Sequence, residues 1–531
     1  MKLIEIIKKK KNYLFLTIIL LALSIPQVIF INNTFVDDTF IFLRFARNIV
    51  NGHGVVWNIG EDPITGFTSN IYLIICTLIT LFTSKPILFL QLFNILLAII
   101  GAIFIYKWYN VSNPEYKTEN FITVVIIILS PSFQYWMMSG MDALLSAVSL
   151  ILFLFFEAKY PYSVKKSIFS GILVSGLSLV RPEFIFMVFY QIFYLIQKKH
   201  SLTDILYFVF GFAILFVPFY VAYFIYFDTL LPNTYYAKTG GGIYQIWGGL
   251  EYVYISAKRM FGKASILFII ILMMGFSFKP FIKHWYVLGI AFSMVLITIV
   301  KGGDHFLLGR FFLPVVSLFL ICFPFFLRKC QLIFSKYIDS NSFYLIILIT
   351  TVFSYSVYYH RQFNLVIGLT PEYKFEDLRL TPNFNYRMAD WTDHFIEIGK
   401  QLRTICKPDE SLAVLPIGAI GYYSEMKIID MVGLVDKNIA HSDYNETLLK
   451  RWRAGHERGN GQYILSRNPD YILINDYLTI KPYKDFSAHS LNFKSNIELI
   501  SNPVFYHNYI FFPVRMNDGS FLNLFKKRSK H

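Results

Sequence analysis

The sequence predicts a polytopic α-helical membrane protein of about eleven transmembrane helices with a C-terminal soluble α/β domain. Three observations predict it. Of 531 residues, 55% are hydrophobic and only 16% are charged, whereas a soluble domain carries about 25% charged residues. Apolar runs of membrane-crossing length recur from near residue 13 to near residue 359. Beyond about residue 360 the chain turns to alternating charge and short β-like runs. A purely soluble enzyme, a disordered chain and a disulfide scaffold are thereby excluded.

Lys8 to Lys11 precede the first apolar run, 13–31, which is too long for a signal-peptide core and lacks a small-residue cleavage site. It reads as an uncleaved span with its N-terminus in the cytoplasm. Further runs lie near 68–83, 86–106, 121–138, 141–157, 167–197, 204–226, 264–278, 283–300, 310–327 and 342–359. An odd count that starts inside leaves the C-terminus outside. The basic connections 197–200, 278–284 and 328–336 then fall inside, and the loops holding Asp37, Lys238 and Asp304 fall outside. Two features strain the count. Lys165 and Lys166 land on the outer side, and 167–197 is long enough for two half-spans, so up to thirteen spans are allowed. The net charge of +15 (49 basic against 34 acidic residues) fits basic inner loops and contact with membrane lipid, not nucleic acid.

The expected division is 1–360 for the membrane domain, with a first outer loop over 32–67, and 361–531 for an extracytoplasmic α/β domain. Within the latter, 411–423, 427–434 and 470–476 read as β-like, and 391–405 and 445–456 as helical. Cys76, Cys322, Cys330 and Cys406 have neither metal-ligand nor redox spacing and read as structural.

The most informative stretch follows the first span. From Asp37 to Asn51 the pattern is that of an amphipathic helix, with Ile41, Phe42, Phe45, Ala46 and Ile49 on one side and Asp37, Arg44, Arg47, Asn48 and Asn51 on the other. Such a helix would lie in the membrane interface, apolar face down. The adjacent Asp37 and Asp38 either cap its N-terminus or perform chemistry. It exits through Gly52-His53-Gly54, and the next loop adds Glu61, Asp62 and Gly66 before the second run.

These residues carry a resemblance. VDDTFIFLRFARNIVNGHGVVWNIGE, followed by TGFTSN, resembles the first outer loop of bacterial GT-C-fold glycosyltransferases. The group concerned is that of the terminal β-(1→2)-arabinofuranosyltransferase of mycobacteria and its Gram-negative relatives. SGMD (139–142), LVRPE (179–183), LLPNTYYAK (230–238), KGGDHF (301–306) with GRFFLP, GAIGYY with IDMVGL, and GHERG (455–459) continue the match in order over nearly the whole chain. Two departures are Met141-Asp142 in place of Leu-Glu and Asn70 in place of Pro.

The resemblance implies a multi-pass enzyme of the inner (plasma) membrane that moves a sugar from a polyprenyl-phosphate donor to a cell-envelope glycan or glycolipid, lipopolysaccharide among them. It places the acidic pair on Asp37 and Asp38. The residue types suit that chemistry, because a carboxylate can take the acceptor's proton and cations can stabilise the departing phosphate. Asp37 is the expected base, with Asp38 as second acid or as ligand of a divalent cation, the one cofactor an acidic pair admits. Arg44, His53, Lys238 and Arg310 are candidates for the donor. Arg181 and Glu183 either seat a half-helix as an ion pair or touch substrate. Asp304-His305 either binds sugar hydroxyls or a metal, or forms a plain turn. Asn233 and Tyr236 either meet the donor or belong to an interfacial aromatic belt. His456 and Glu457 either bind acceptor or close a helix end. The competing class is a transporter or flippase of lipid-linked glycan, which predicts charges lining a path through the spans. A related GT-C enzyme modifying lipid A would differ in acceptor alone.

Overall fold

The computed structural model describes residues 14–19, 21–22, 35–261, 279–304, 306, 309–351, 387–444, 452–479, 481–482, 484 and 493–529. Most of the first run, all of 264–278, His305 and the stretch 445–451 lie outside the described residues. In chain order the helical part comprises α1 (Asp37–Val50), α2 (Asn70–Phe82), α3 (Pro86–Ser112), α4 (Lys117–Leu129), α5 (Pro131–Met138), α6 (Ala143–Lys159) and α7 (Val164–Val180). A 3-10 turn, Pro182–Phe186, leads to α8 (Met187–Gln197), α9 (Leu202–Phe227), α10 (Asn233–Lys238), α11 (Gly242–Phe261), α12 (Trp285–Val300), α13 (Leu313–Phe319) and α14 (Phe323–Phe334). Proline sets many of the breaks. Pro86, Pro131, Pro182, Pro314 and Pro324 each stand in the first positions of a helix, where the missing N–H costs nothing.

Pro86–Ser112, Leu202–Phe227 and Leu313–Phe334 are long and apolar enough to cross a membrane, and the pair Lys117–Leu129 with Ser132–Met138, bent by 57°, makes a fourth if taken as one span. Among the described residues that is fewer than the eleven runs expected: several apolar helices have 13–17 residues, roughly 20–25 Å against a core of about 30 Å, and most of 13–31, all of 264–278 and 352–359 lie outside those residues. The run 68–83 is one of these. Near its start, the Tyr72 hydroxyl donates to Gly140 O at 2.5 Å.

Polar contacts between helix ends define the two ends of the bundle. At one end Arg181, which follows α7, pairs with Asp142 before α6 at 3.0 Å, and Lys301, which follows α12, pairs with Glu183 at 3.2 Å. At the other, His284 before α12 meets Asn113 after α3 at 2.9 Å, and the Tyr162 and His200 rings bring the 160–163 and 198–200 connections within 4.0 Å. α6 and α7 are therefore an antiparallel hairpin whose connection, with Lys165 and Lys166, lies away from Asp142 and Arg181. The sequence count places Lys165 and Lys166 with the outer loops; the structure places them beside Lys198, Lys199, His200 and Lys283 at the basic end. The count goes astray among the five runs before them: α2 starts at the site end and the long α3 ends at the basic end, so 68–83 is not a crossing. The count recovers at Lys198 because 167–197 breaks at Arg181-Pro182 into two helices. α7 also crosses α9 at backbone contact, since a Cβ on Gly171 would lie 2.2 Å from Phe208 O and one on Gly211 2.0 Å from Ile168 O.

The C-terminal region contains α15 (Arg387–Ile405), β1 (Ser411–Val414), α16 (Gly418–Ser424), β2 (Lys427–Asp430), α17 (Lys437–Ala440), α18 (Gly461–Ser466), β3 (Tyr471–Thr479), α19 (Lys494–Ile500), α20 (Pro503–Asn508), β4 (Tyr509–Arg515) and β5 (Phe521–Lys527). The sheet order is β2-β1-β3-β5-β4, with β1 parallel to β2 and β3 and the remaining pairs antiparallel. The expected strand over 411–423 is strand only to Val414 and then turns into α16; 452–456 is turn, not helix. The β4–β5 hairpin is absent from the sequence reading. Its Asp518-Gly519 turn was the available signal, and Pro513 is tolerated because β4 is an edge strand.

α1 sits between the bundle and this region. Its Phe40 ring meets Tyr422 and Tyr423 of α16 at 5.7 and 5.5 Å, and Phe42 and Phe45 pack on Phe67 at 5.9 and 5.1 Å. The expected helix with a wet polar face is thus covered on both sides, and Arg44 and Asn48 are buried.

Candidate active site

Asp37 and Asp38 occupy the first turn of α1, where the helix dipole favours carboxylates. The Asp37 carboxylate accepts the N–H groups of Gly418 at 2.9 Å and Ala419 at 2.7 Å, so it ties α1 to the start of α16. Burial pushes its pKa up to about 7, with the Asp38 charge adding to the rise and the two N–H groups opposing it. Asp38 faces away from that seam. It pairs with Arg310 at 3.4 Å and keeps about a fifth of its side chain open (21%).

Arg310, just before α13, is the hub. Its Nε lies 2.7 Å from Asp304, and its guanidinium stands 4.8 Å from the Phe306 ring and 5.3 Å from the Phe311 ring. Lys238 is held within electrostatic reach of the same group. Burial, then Arg310, lower its pKa, while Asp38 and Asp304 act in the other direction. A second chain of charges abuts the first: Asp142 to Arg181 at 3.0 Å, Arg181 to Glu183 at 3.7 Å, Glu183 to Lys301 at 3.2 Å. The two chains share the Phe311 ring, with Arg181 and Lys301 each 5.1 Å from its centre.

A narrow cleft opens here. Arg181, Glu183, Lys301 and Arg310 line its charged part; Phe184, Met294, Ile297 and Pro314 line its apolar part. The arrangement follows from local structure. Each charged residue stands at a helix end or a proline break, so the helix bodies stay apolar and the charges meet at one level. Its lining presents cations at one level and apolar side chains at the other, the chemistry that suits an amphiphile with an anionic group.

The C-terminal region covers this end. Arg458 donates to Thr239 O at 2.7 Å and also to Ser442 O, and Trp452 occupies the space that side chains on Gly241, Gly248 and Gly302 would fill.

The structure thus brings together Asp38, Arg181, Glu183, Lys238, Asp304 and Arg310 from the sequence-predicted set, with Asp37 adjacent but turned to the α16 seam. It separates others. Arg44 is corrected from a phosphate contact to a structural cation, because it donates to Trp57 O, Gly421 O, Asn58 Oδ1 and Met426 O at 2.5–3.0 Å. His53 is exposed beyond the far end of the 14-residue α1, roughly 20 Å from Asp37. Asn233 donates to Gly433 O and Leu434 O at 2.8 and 3.0 Å, which sews α10 to the loop after β2. Tyr236 lies against the His441 ring at 4.4 Å. His456 Nδ1 is 3.3 Å from Ala454 O, and Glu457 accepts the Arg453 N–H, its pKa pushed up to about 7 by burial. Sequence reasoning passed over Lys301 and Asp142 as site residues, although both stand inside the KGGDHF and SGMD motifs. Among the described residues no three His, Cys, Asp or Glu side chains gather as a metal site.

Residues 382–516 match a family described as a domain of unknown function (DUF8728). No curated protein matches the chain. Among solved structures, the chain is similar to ArnT from Cupriavidus metallidurans bound to undecaprenyl phosphate, at 11% identity over 78% of this chain and 84% of that one, TM-score 0.47. The same protein in its apo state gives 12% identity over 79% and 86%, TM-score 0.49. The Archaeoglobus fulgidus oligosaccharyltransferase in complex with Zn and sulfate gives 12% over 96% and 72%, TM-score 0.40.

Proposed function

We propose that the chain is a membrane glycosyltransferase of GT-C type that takes a sugar from a polyprenyl-phosphate donor and passes it to a cell-envelope glycan or glycolipid. The observation that carries this reading is that Asp38, next to the seam-held Asp37, pairs with Arg310, which with Arg181, Glu183 and Lys301 lines a cleft charged at one level and apolar below, Lys238 standing within electrostatic reach. Basic residues at the opposite end support an orientation with that end in the cytoplasm. The site and the region 361–531 are then extracytoplasmic, above a membrane domain of 1–360.

In this reading Asp37 accepts the proton of an acceptor hydroxyl as its oxygen attacks the anomeric carbon. The carbon–oxygen bond to phosphate breaks, and polyprenyl phosphate departs with the electron pair. A carboxylate with a pKa of about 7 is suited to general-base work near neutral pH. Asp38 holds Arg310 toward the phosphate, and attack opposite the leaving group inverts the anomeric centre. A divalent cation would have to approach Asp38, since both Asp37 oxygens face backbone N–H groups. Transport would call for charges spread along the spans, whereas these charges meet at helix ends.

The test is transfer of radiolabelled sugar from a polyprenyl-phosphate donor by the purified protein, with comparison of surface glycans from a deletion strain. Asp37→Asn should lower turnover by roughly 10²–10⁴-fold, and the deletion strain should lack one terminal sugar. An unchanged glycan with altered uptake would favour transport instead.

A further inference from the structure

We propose that Glu183 is an internal placeholder for the phosphate of a polyprenyl-phosphate lipid: it neutralises Lys301 and Arg181 when the cleft is empty, and the lipid phosphate displaces it on binding. The inference rests on the transferase reading for its lipid class, but its geometry stands alone.

Three cations surround the Phe311 ring, yet their partners differ. Arg181 keeps Asp142 at 3.0 Å and Arg310 keeps Asp304 at 2.7 Å, each on a carboxylate apart from the cleft lining. Lys301 has Glu183 as its one acidic partner among the described residues, at 3.2 Å. Glu183 can therefore leave without stranding either arginine. Its departure would strand only Lys301, and an incoming anion would replace it charge for charge.

The two partners also differ in burial. The Glu183 side chain is 11% exposed, whereas Lys301 is 39% exposed and can follow an anion. Glu183 stands on a 3-10 turn between two helices rather than in a helix body, so its side chain can swing without unwinding α7 or α8. Below it, Phe184, Met294, Ile297 and Pro314 supply an apolar wall. A free phosphate would gain nothing from that wall; a phosphate carrying an isoprenoid chain would.

The prediction is counter-intuitive for a buried acid in a substrate site. Removing its charge should tighten binding, because the lipid no longer competes with an internal anion. Binding is measured on the full chain in detergent, with undecaprenyl phosphate and undecaprenol as probes, by native mass spectrometry or intrinsic fluorescence. Wild type should prefer the phosphate over the alcohol. Glu183→Gln should bind undecaprenyl phosphate roughly tenfold more tightly, Lys301→Gln roughly tenfold more weakly, and neither should change undecaprenol binding. Weaker or unchanged phosphate binding in Glu183→Gln, with the fold intact by size-exclusion and thermal melting, would overturn the placeholder. Equal affinity for the two probes in wild type would overturn the phosphate site. Because binding needs no acceptor, tight phosphate-selective binding without any sugar transfer would sink the transferase reading and leave this one standing. Sugar transfer with unaltered binding in both variants would do the reverse.

Discussion

With the proposed role as base, Asp37 would serve two ends at once, and they respond to pH in opposite directions. Its carboxyl sits at about 7 in the folded protein against an ordinary 3.8, with burial as the main cause. Between pH 4 and 7 the folded state therefore holds a proton that the unfolded state has released, so the contribution to stability falls as pH rises through the folded pKa. Asp430 at about 6 and Glu457 at about 7 are raised by the same cause and act in the same sense. Hydrogen exchange of 418–424, corrected for intrinsic rates, should thus be slower at pH 5.5 than at pH 8. Transfer should behave oppositely, falling below about pH 7 as the base becomes protonated. Arg44 illustrates what the residue pattern conceals. In sequence it is one more cation on a polar helix face, like any phosphate ligand. Its four oxygen partners come from the α1–α2 loop and from residues 421 and 426, and no local pattern announces them. Arg44→Ala should cost about 3 kcal/mol or more in unfolding free energy, because four buried acceptors lose their donor. Urea or thermal unfolding in detergent checks this, and lipid phosphate binding should survive under conditions where the variant is folded.

At the scale of elements, helices end where the charges stand. Arg181 follows α7, Asp142 precedes α6, Lys301 follows α12 and Arg310 precedes α13. Hydropathy makes those ends legible, since a run must stop where a charge enters it. What it cannot tell is whether a long run is one helix or two, and 167–197 needed the break at Pro182 to be recognised. Strand and helix are likewise confused in GAIGYY, a short apolar run whose composition suits either. It becomes α16 because Asp37 supplies acceptors for its first N–H groups, a long-range effect. The crossing of α7 and α9 provides a test with its own control. Gly211→Ala should strongly destabilise the protein, since a Cβ there would lie 2.0 Å from a backbone oxygen, while Gly176→Ala has nothing within 4 Å and should be neutral or mildly stabilising. Thermal melting of the two variants beside wild type reads the difference.

For the whole molecule, charge sorts the two ends. Lys165, Lys166, Lys198, Lys199 and Lys283 gather at one, and the ion-paired site with its C-terminal cover lies at the other. Single cysteines in a cysteine-free background test the resulting orientation. Lys166→Cys and Lys199→Cys should react with a membrane-impermeant thiol reagent after permeabilisation, and Asn517→Cys, in the exposed β4–β5 turn, should react in intact cells. Labelling of Lys166→Cys in intact cells would restore the sequence count of the 107–197 region. By itself the sequence determined that the chain partitions into a membrane, where many of its apolar helices lie, which residues are polar enough to do chemistry, and that a mixed region follows. These are sums over local composition and short-range periodicity. The tertiary structure decided which polar residues meet. Asp38 joins Arg310 across 272 positions and Lys301 joins Glu183 across 118. Pairing of that kind depends on how helix ends stack in space, a property of the packed bundle that no window along the chain contains.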